Sequence, residues 1–217
     1  MANGRDARGP GVALRVTIRI AVIDDHPVVR DGTAALLARE SDLEIVGVAG
    51  SIEEAAVFLD PSLVDVLLLD IRLGSSSGFD LLADLVGVAD RPAIVVVTAY
   101  DYPQYVDAAL RLGAAGLVLK TAPMATLVDA IRQAAGGGLV FSRRPGEVVR
   151  LTARELDVVR LVVDGRSNEE IAASLGIGKK TVETHLGRLF ERLEVASRTE
   201  LATRAIREGW LEVPSIG

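Results

Sequence analysis

At 217 residues, 49% of them apolar and none of them cysteine, the chain has material for two small packed domains and none for disulfides or thiolate metal sites. Thirty acidic residues against 24 basic ones give a net charge of −6, which excludes nucleic-acid binding through the bulk field of the molecule. Two histidines argue against a zinc site, no apolar run approaches the roughly 20 residues of a membrane span, and Arg15 and Arg19 interrupt the first apolar stretch where a signal peptide would need its core, so the expected location is the cytoplasm.

Residues 1–16, with Gly4, Gly9, Pro10 and Gly11, read as a flexible N-terminal tail. Short apolar runs near 17–23, 44–49, 64–69, 93–98 and 116–119 are expected strands. Helical patterns near 27–39, 52–59, 77–86, 103–112 and 123–135 separate and follow them. Such alternation predicts an α/β domain over 17–136, built on a five-stranded, doubly wound parallel sheet.

In that architecture ligands bind at the carboxyl ends of the strands. Those ends carry chemistry here. Asp24-Asp25 close the first run, Asp70 the third, Thr98-Ala99 the fourth and Lys120 the fifth. Three converging carboxylates repel one another unless a hard cation lies between them, and Mg²⁺ takes all-oxygen ligands while leaving positions for phosphate oxygens. The expectation is a metal-assisted phosphoryl site with one aspartate as acceptor. Mg²⁺, Lys120 and the Thr98 hydroxyl could each hold one phosphoryl oxygen, with small Ala99 leaving room. His26 reads as a loop or cap residue rather than a ligand.

Gly136-Gly137-Gly138 ends the last helix of this half, and residues 137–150, with Arg143-Arg144-Pro145-Gly146, read as a linker. Charge divides at the same place. Residues 17–142 carry a net −9 and residues 143–217 a net +1, so any nucleic-acid surface in the second half is local.

The remainder, 151–217, is read as all-helical, with segments near 152–164, 167–175, 179–193 and 197–208. Thr152 with Glu155, and Ser167 with Glu170, are capping boxes. Leu156, Val159, Leu161 and Val163 give the first helix its apolar positions. The turn Gly176-Ile177-Gly178 then joins two short helices as in a helix-turn-helix, whose second helix enters the DNA major groove. In that helix Val182, Leu186, Leu189, Phe190 and Leu193 form the buried stripe, which leaves Lys179, Lys180, Thr184, His185, Arg188 and Arg192 for DNA. Trp210 is expected to pack against the last helix.

Asp24-Asp25-His26-Pro27, Asp70 with Gly78 eight residues on, Thr98-Ala99 and Lys120 make residues 17–136 resemble a receiver domain, the flavodoxin-like phosphoacceptor module of two-component response regulators. The resemblance implies that Asp70 accepts a phosphoryl group from a sensor histidine kinase. It implies that Asp24, Asp25, Asp70 and the backbone carbonyl of Arg72 hold Mg²⁺, and that Thr98, Ala99 and Lys120 surround the phosphoryl group. Three positions depart from the family pattern. Gly74 stands where proline is usual, Thr121-Ala122 precede Pro123 after the lysine, and Leu117 occupies a position that many members give to Tyr or Phe.

Leu151-Thr152-Ala153-Arg154-Glu155, the stretch Gly165 to Ala172, Leu175, Thr181-Val182, His185, Leu193, Val195 and Arg198 make the C-terminal part resemble the DNA-binding domain of LuxR/NarL-type (NarL/FixJ) regulators. The resemblance implies that 179–193 is the recognition helix, with base-reading positions at Glu183, Thr184 and Gly187. It further implies a homodimer on double-stranded promoter DNA, with a dimer contact on the final helix, where Leu201 and Ala205 lie one turn apart. On a short linker, the acidic receiver is expected to mask Lys179, Lys180 and Arg188 until phosphorylation shifts the equilibrium.

Two other readings compete. A phosphohydrolase of haloacid-dehalogenase type would use Asp70 as nucleophile and needs an aspartate two residues later, where this chain has Arg72. An interaction-only regulator would ignore phosphorylation, against which the complete acid set argues.

Overall fold

A computed structural model describes residues 17–141 and 148–213. The proposed tail at 1–16 and part of the proposed linker lie outside the described residues. The strands are β1 (Ile18–Ile23), β2 (Leu43–Ala49), β3 (Val66–Asp70), β4 (Arg72–Leu73), β5 (Ser76–Ser77), β6 (Ala93–Thr98), β7 (Gly116–Leu119) and β8 (Val140–Phe141). The first half also holds helices α1 (Pro27–Leu37), α2 (Ile52–Ala55), α3 (Gly78–Asp84), α4 (Pro103–Arg111) and α5 (Met124–Ala135).

The main sheet is parallel with strand order β2-β1-β3-β6-β7-β8. Side chains alternate across it with period two. Ala21, Ile23, Leu67, Leu69, Ile94 and Val96 pack under α2, α3 and α4. Ile20, Val22, Val66, Leu68, Val95 and Val118 pack under α1 and α5. Both faces are therefore covered, and β3 at the centre is buried along its whole length. The chain reverses its winding between β1 and β3, which opens the crevice where ligands of such sheets sit.

Two details correct the expectation. The sheet has six strands rather than five, because Val140 and Phe141, assigned above to the linker, pair with Gly116 and Leu117. Gly116 permits the approach: a Cβ there would meet the Val140 carbonyl oxygen at 2.6 Å. The loop after Asp70 is a small antiparallel hairpin, β4 with β5, and Gly74 turns it at φ +64°. Proline cannot take a positive φ, so this hairpin accounts for glycine where the family usually has proline.

The second half contains α6 (Ala153–Val163), α7 (Asn168–Leu175), α8 (Lys179–Arg192), α9 (Arg198–Arg207) and a 3₁₀ turn, Trp210–Glu212. Both capping boxes form: Thr152 and Ser167 accept from the backbone of Glu155 and Glu170, whose carboxylates accept in return. Gly176, at φ +64°, ends α7 and makes the turn into α8. Val182, Leu186, Leu189 and Leu193 are buried as expected, with Phe190 partly so. On α6 the buried positions are Leu156, Val158, Val159 and Val162, while Leu161 and Val163 are only partly covered. That helix meets α7, α8 and α9 together, so its buried side is broader than the assigned stripe. Trp210 is buried, with the Arg204 guanidinium 5.6 Å from its ring centroid.

The halves meet along α4. Gln104 Nε2 donates to Glu208 at 3.2 Å, Arg150 reaches Asp107 at 2.5 Å, Arg72 pairs with Glu212, and Val213 packs on the receiver core.

Candidate phosphoacceptor site and nucleic-acid interface

Asp70 ends β3 and Asp24 follows β1, so both carboxylates emerge from the sheet at the crevice while staying 4–5% exposed. Lys120, one residue past β7, puts Nζ 2.7 Å from Asp24 Oδ2 and 2.7 Å from Asp70 Oδ2. Its own N–H donates to the Thr98 carbonyl at 2.7 Å, which sets the lysine against the end of β6. Backbone N–H groups hold three further oxygens: His26 on Asp24 Oδ1 at 2.9 Å, Ile71 on Asp70 Oδ1 at 2.8 Å, and Gly74 on Asp25 Oδ2 at 2.8 Å. Burial pushes the Asp70 carboxyl above the usual range, Lys120 pulls it back, and the Asp24 charge pushes it up again. Burial alone would lower the Lys120 ammonium, but its bonds to Asp24 and Asp70 win and hold it above its ordinary value.

Gly78 serves the acceptor directly. A Cβ at this position would lie 2.2 Å from the Asp70 carbonyl oxygen, and the Gly78 N–H donates to Ile71 at 2.7 Å. Thr98 is buried, and its Oγ1 accepts from the Tyr100 N–H at 3.2 Å. Ala99 and Lys120 help line a cleft of about 240 Å³ over Asp70.

Ligand atoms of Asp24, Asp25, His26 and Asp70 all lie within 4.8 Å of one another. Asp25 Oδ1 is buried and accepts no hydrogen bond, although His26 Nδ1 lies 2.6 Å away. An unsatisfied carboxylate oxygen among hard oxygen donors fits a small divalent cation such as Mg²⁺. His26 is the N-cap residue of α1, in line with the sequence reading, although its ring lies beside the acids and its side chain makes no cap bond.

On α8 the cations divide. Lys180 and Arg188 are exposed and make no ion pair among the described residues. Lys179 pairs with Glu169, Arg192 pairs with Glu155 at 3.1 Å, and the Thr184 hydroxyl donates to the Lys180 carbonyl at 2.9 Å. Glu183 and Gly187 are exposed beside them, and His185 is half-buried.

Two expectations fail. Leu201 and Ala205, assigned to a dimer contact, are fully buried in the domain core. The outer face of α9 instead carries Thr199, Thr203 and Ile206, and Ile206 is 59% exposed. Nor does the receiver mask the recognition helix: it covers the segment Glu208–Val213, while Lys179, Lys180 and Arg188 stay open. Arg72 and Tyr100 were missed as side chains. Both line the cleft over Asp70, and the signal available was an aromatic residue two positions after Thr98.

Comparison with known proteins gives the class. Residues 20–132 match the response regulator receiver domain and residues 149–205 match the bacterial regulatory proteins of the luxR family. The transcriptional regulatory protein MctR of Rhizobium johnstonii is 35% identical over 205 residues, covering 90% of this chain and 96% of MctR. UhpA of Salmonella typhimurium is 37% identical over 199 residues, covering 89% of this chain and all of UhpA. The RcsB response regulator of Salmonella typhimurium shares the fold, with a TM-score of 0.62 at 24% identity over 88% of this chain and 100% of that one. The chain belongs to the two-component response regulators, in the NarL/FixJ type that joins a receiver to a LuxR-type DNA-binding domain. It is a transcription regulator by family, and no described helix is long and apolar enough to cross a membrane.

Proposed function

We propose that Asp70 accepts a phosphoryl group from a sensor histidine kinase, and that this modification controls promoter binding through α8. The carrying observation is the Lys120 ammonium bridging Asp24 and Asp70, beside a buried Asp25 oxygen that lacks a partner. In this reading Asp24, Asp25 and Asp70, whose ligand atoms lie within 4.8 Å of one another, would hold Mg²⁺ together with the Arg72 carbonyl. Bound there, the cation neutralises charge on the carboxylates and the incoming phosphoryl oxygens. Asp70 supplies the attacking carboxylate oxygen, and its O–P bond forms as the N–P bond of the kinase phosphohistidine breaks and the imidazole leaves. Lys120 shifts from its carboxylates toward a phosphoryl oxygen, Thr98 turns its hydroxyl to another, and Ala99 leaves the approach free of side-chain bulk. The protein then loses its own phosphoryl group to water and turns over no other substrate. Arg72, bound to Tyr100 and Glu212, offers no general acid for hydrolase chemistry.

For DNA, the structure of two RcsB dimers on two DNAs supports a dimeric mode in a protein of the same fold. Here Lys180 and Arg188, with Lys179 when released from Glu169, contact phosphates, and the Ile206 face of α9 meets a second copy.

The test is labelling of the full chain by acetyl phosphate with Mg²⁺, read by intact mass. One phosphoryl group is expected on the parent and none on Asp70→Asn. Labelling of Asp70→Asn to the parent's extent sinks the assignment.

A further inference from the structure

We propose that Arg72 is a latch between the phosphoacceptor site and the DNA-binding domain, closed on Glu212 and opened by phosphorylation; this rests on the function proposed above. Arg72 lies two residues after Asp70. Its guanidinium sits over the Tyr100 ring at 4.3 Å, donates to the Tyr100 hydroxyl at 2.8 Å, and pairs with Glu212 from the other domain. One side chain thus touches the rim of the acceptor cleft and the far domain.

Tyr100 has its own tie to the site, since its N–H donates to Thr98 Oγ1 at 3.2 Å. A Thr98 hydroxyl recruited by a phosphoryl oxygen turns away from that N–H and moves the loop that carries the ring. The Tyr100 ring stacks on Tyr102, centroids 5.4 Å apart and 19° between planes, and Tyr102 meets Tyr105 edge-on at 5.0 Å. Tyr102 also closes on Gly209, where a Cβ would lie 2.3 Å from the ring. Two routes, one ionic and one aromatic, therefore run from the acceptor site to the segment Gly209–Glu212.

The seam is built to part. Four buried side-chain polar atoms among the described residues lack a hydrogen-bond partner, and three of them, Gln104 Oε1, Tyr105 Oη and Glu212 Oε2, belong to residues at or beneath this seam. Opening would hydrate groups that closure strands. Its ion pairs, Arg72 with Glu212 and Arg150 with Asp107, are partly exposed and weakened by salt. Closed and open arrangements thus differ by small opposing terms, and a modest change at Asp70 can choose between them.

The test uses the full chain with Glu212→Gln, read by small-angle scattering and by affinity for beryllofluoride with Mg²⁺, a stand-in for the phosphoryl group. Without beryllofluoride, Glu212→Gln is expected to show the larger radius of gyration that the parent reaches only with it. By reciprocity of coupling, the variant should bind beryllofluoride tighter by about 5-fold or more. The double variant Arg72→Glu with Glu212→Arg is expected to return to the compact profile. A Glu212→Gln profile and affinity equal to the parent's overturn the latch. An open Glu212→Gln that the reversed pair fails to close overturns the role of Arg72. Failure of the parent to bind beryllofluoride or take up label defeats the phosphoacceptor assignment instead, while the scattering comparison still judges the latch.

Discussion

The acceptor site and the recognition helix treat charge in opposite ways. At the crevice, Asp24, Asp70 and Lys120 are largely buried, and backbone N–H groups and one shared ammonium fix their oxygens. A buried charge without partners is expensive, so strand ends, hairpin and glycines are all arranged around these groups. On α8 the charges are exposed, long and able to choose local partners: Lys179 takes Glu169 and Arg192 takes Glu155, while Lys180 and Arg188 take none among the described residues. Exposed pairs of this kind contribute little to stability and are exchanged readily for a phosphate. The first site is set by the fold; the second waits for its ligand.

The largest expected effect is at the buried site. Asp25→Ala should come close to abolishing acetyl phosphate labelling at Asp70, because it removes the one carboxylate oxygen there without a hydrogen-bond donor. Labelling at the parent's rate, measured at limiting Mg²⁺, would place the cation elsewhere and break the contrast.

This difference also explains what could be read from the chain. Each strand of the acceptor site is an apolar run stopped by Asp, Thr or Lys, and a strand end in a doubly wound sheet has one destination. Strand β8 was not legible, since two residues after a glycine run carry no period, and its pairing depends on Gly116 across the sheet. On α9, spacing correctly put Leu201 and Ala205 on one face, but the same spacing serves a core stripe or a dimer stripe. Packing against α6 decides for the core. The Arg72–Glu212 contact joins residues 140 positions apart and left no mark in either neighbourhood.

That decision on α9 can be tested next. Leu201→Ala should cost about 2–5 kcal/mol of stability, as for other fully buried leucines, read as a lower denaturant midpoint for the C-terminal domain. Ile206→Asp should leave the midpoint nearly unchanged and remove cooperativity from binding to a two-site duplex. Near-neutral stability for Leu201→Ala would restore it to the surface.

A smaller effect is expected at Gly78, where the fold serves the chemistry. Gly78→Ala drives a methyl group against the Asp70 carbonyl oxygen, so the β5–α3 junction has to move. The expected loss is about 1–3 kcal/mol, with slower labelling of Asp70 than stability alone explains. A variant that unfolds earlier yet labels normally would separate Gly78 from the site.

On α8, Lys180→Ala and Arg188→Ala should each weaken DNA binding alike across sequences and reduce the salt slope by about 1. Arg192→Ala should change the slope less, its charge being committed to Glu155. Glu183→Ala should relax discrimination at one base pair, if the carboxylate accepts from a cytosine N4, or strengthen binding to every sequence by removing a negative charge. A uniform loss of affinity in Glu183→Ala would contradict both.

The smallest effect concerns pH and the start of α6. Burial alone would raise the Glu155 carboxyl, but the Thr152 N–H and hydroxyl, aided by Arg192, outweigh it and hold the pKa below the ordinary glutamate range. A depressed folded pKa adds stability that is complete above the unfolded value, about 4.3, and is lost as pH falls through the folded value. Glu155→Gln keeps an acceptor for the Thr152 N–H but loses the charge, so it should lower the melting temperature at pH 7 by less than loss of the whole capping box would. The gap to the parent should hold down to about pH 5 and close at lower pH, where the parent's carboxylate takes up its proton. Glu170 caps α7 by the same motif at an exposed position, so Glu170→Gln should show a smaller gap with the same sign. A Glu155→Gln gap that persists unchanged to pH 3 would mean that packing of the side chain, rather than its charge on the Thr152 backbone, holds the first turn of α6.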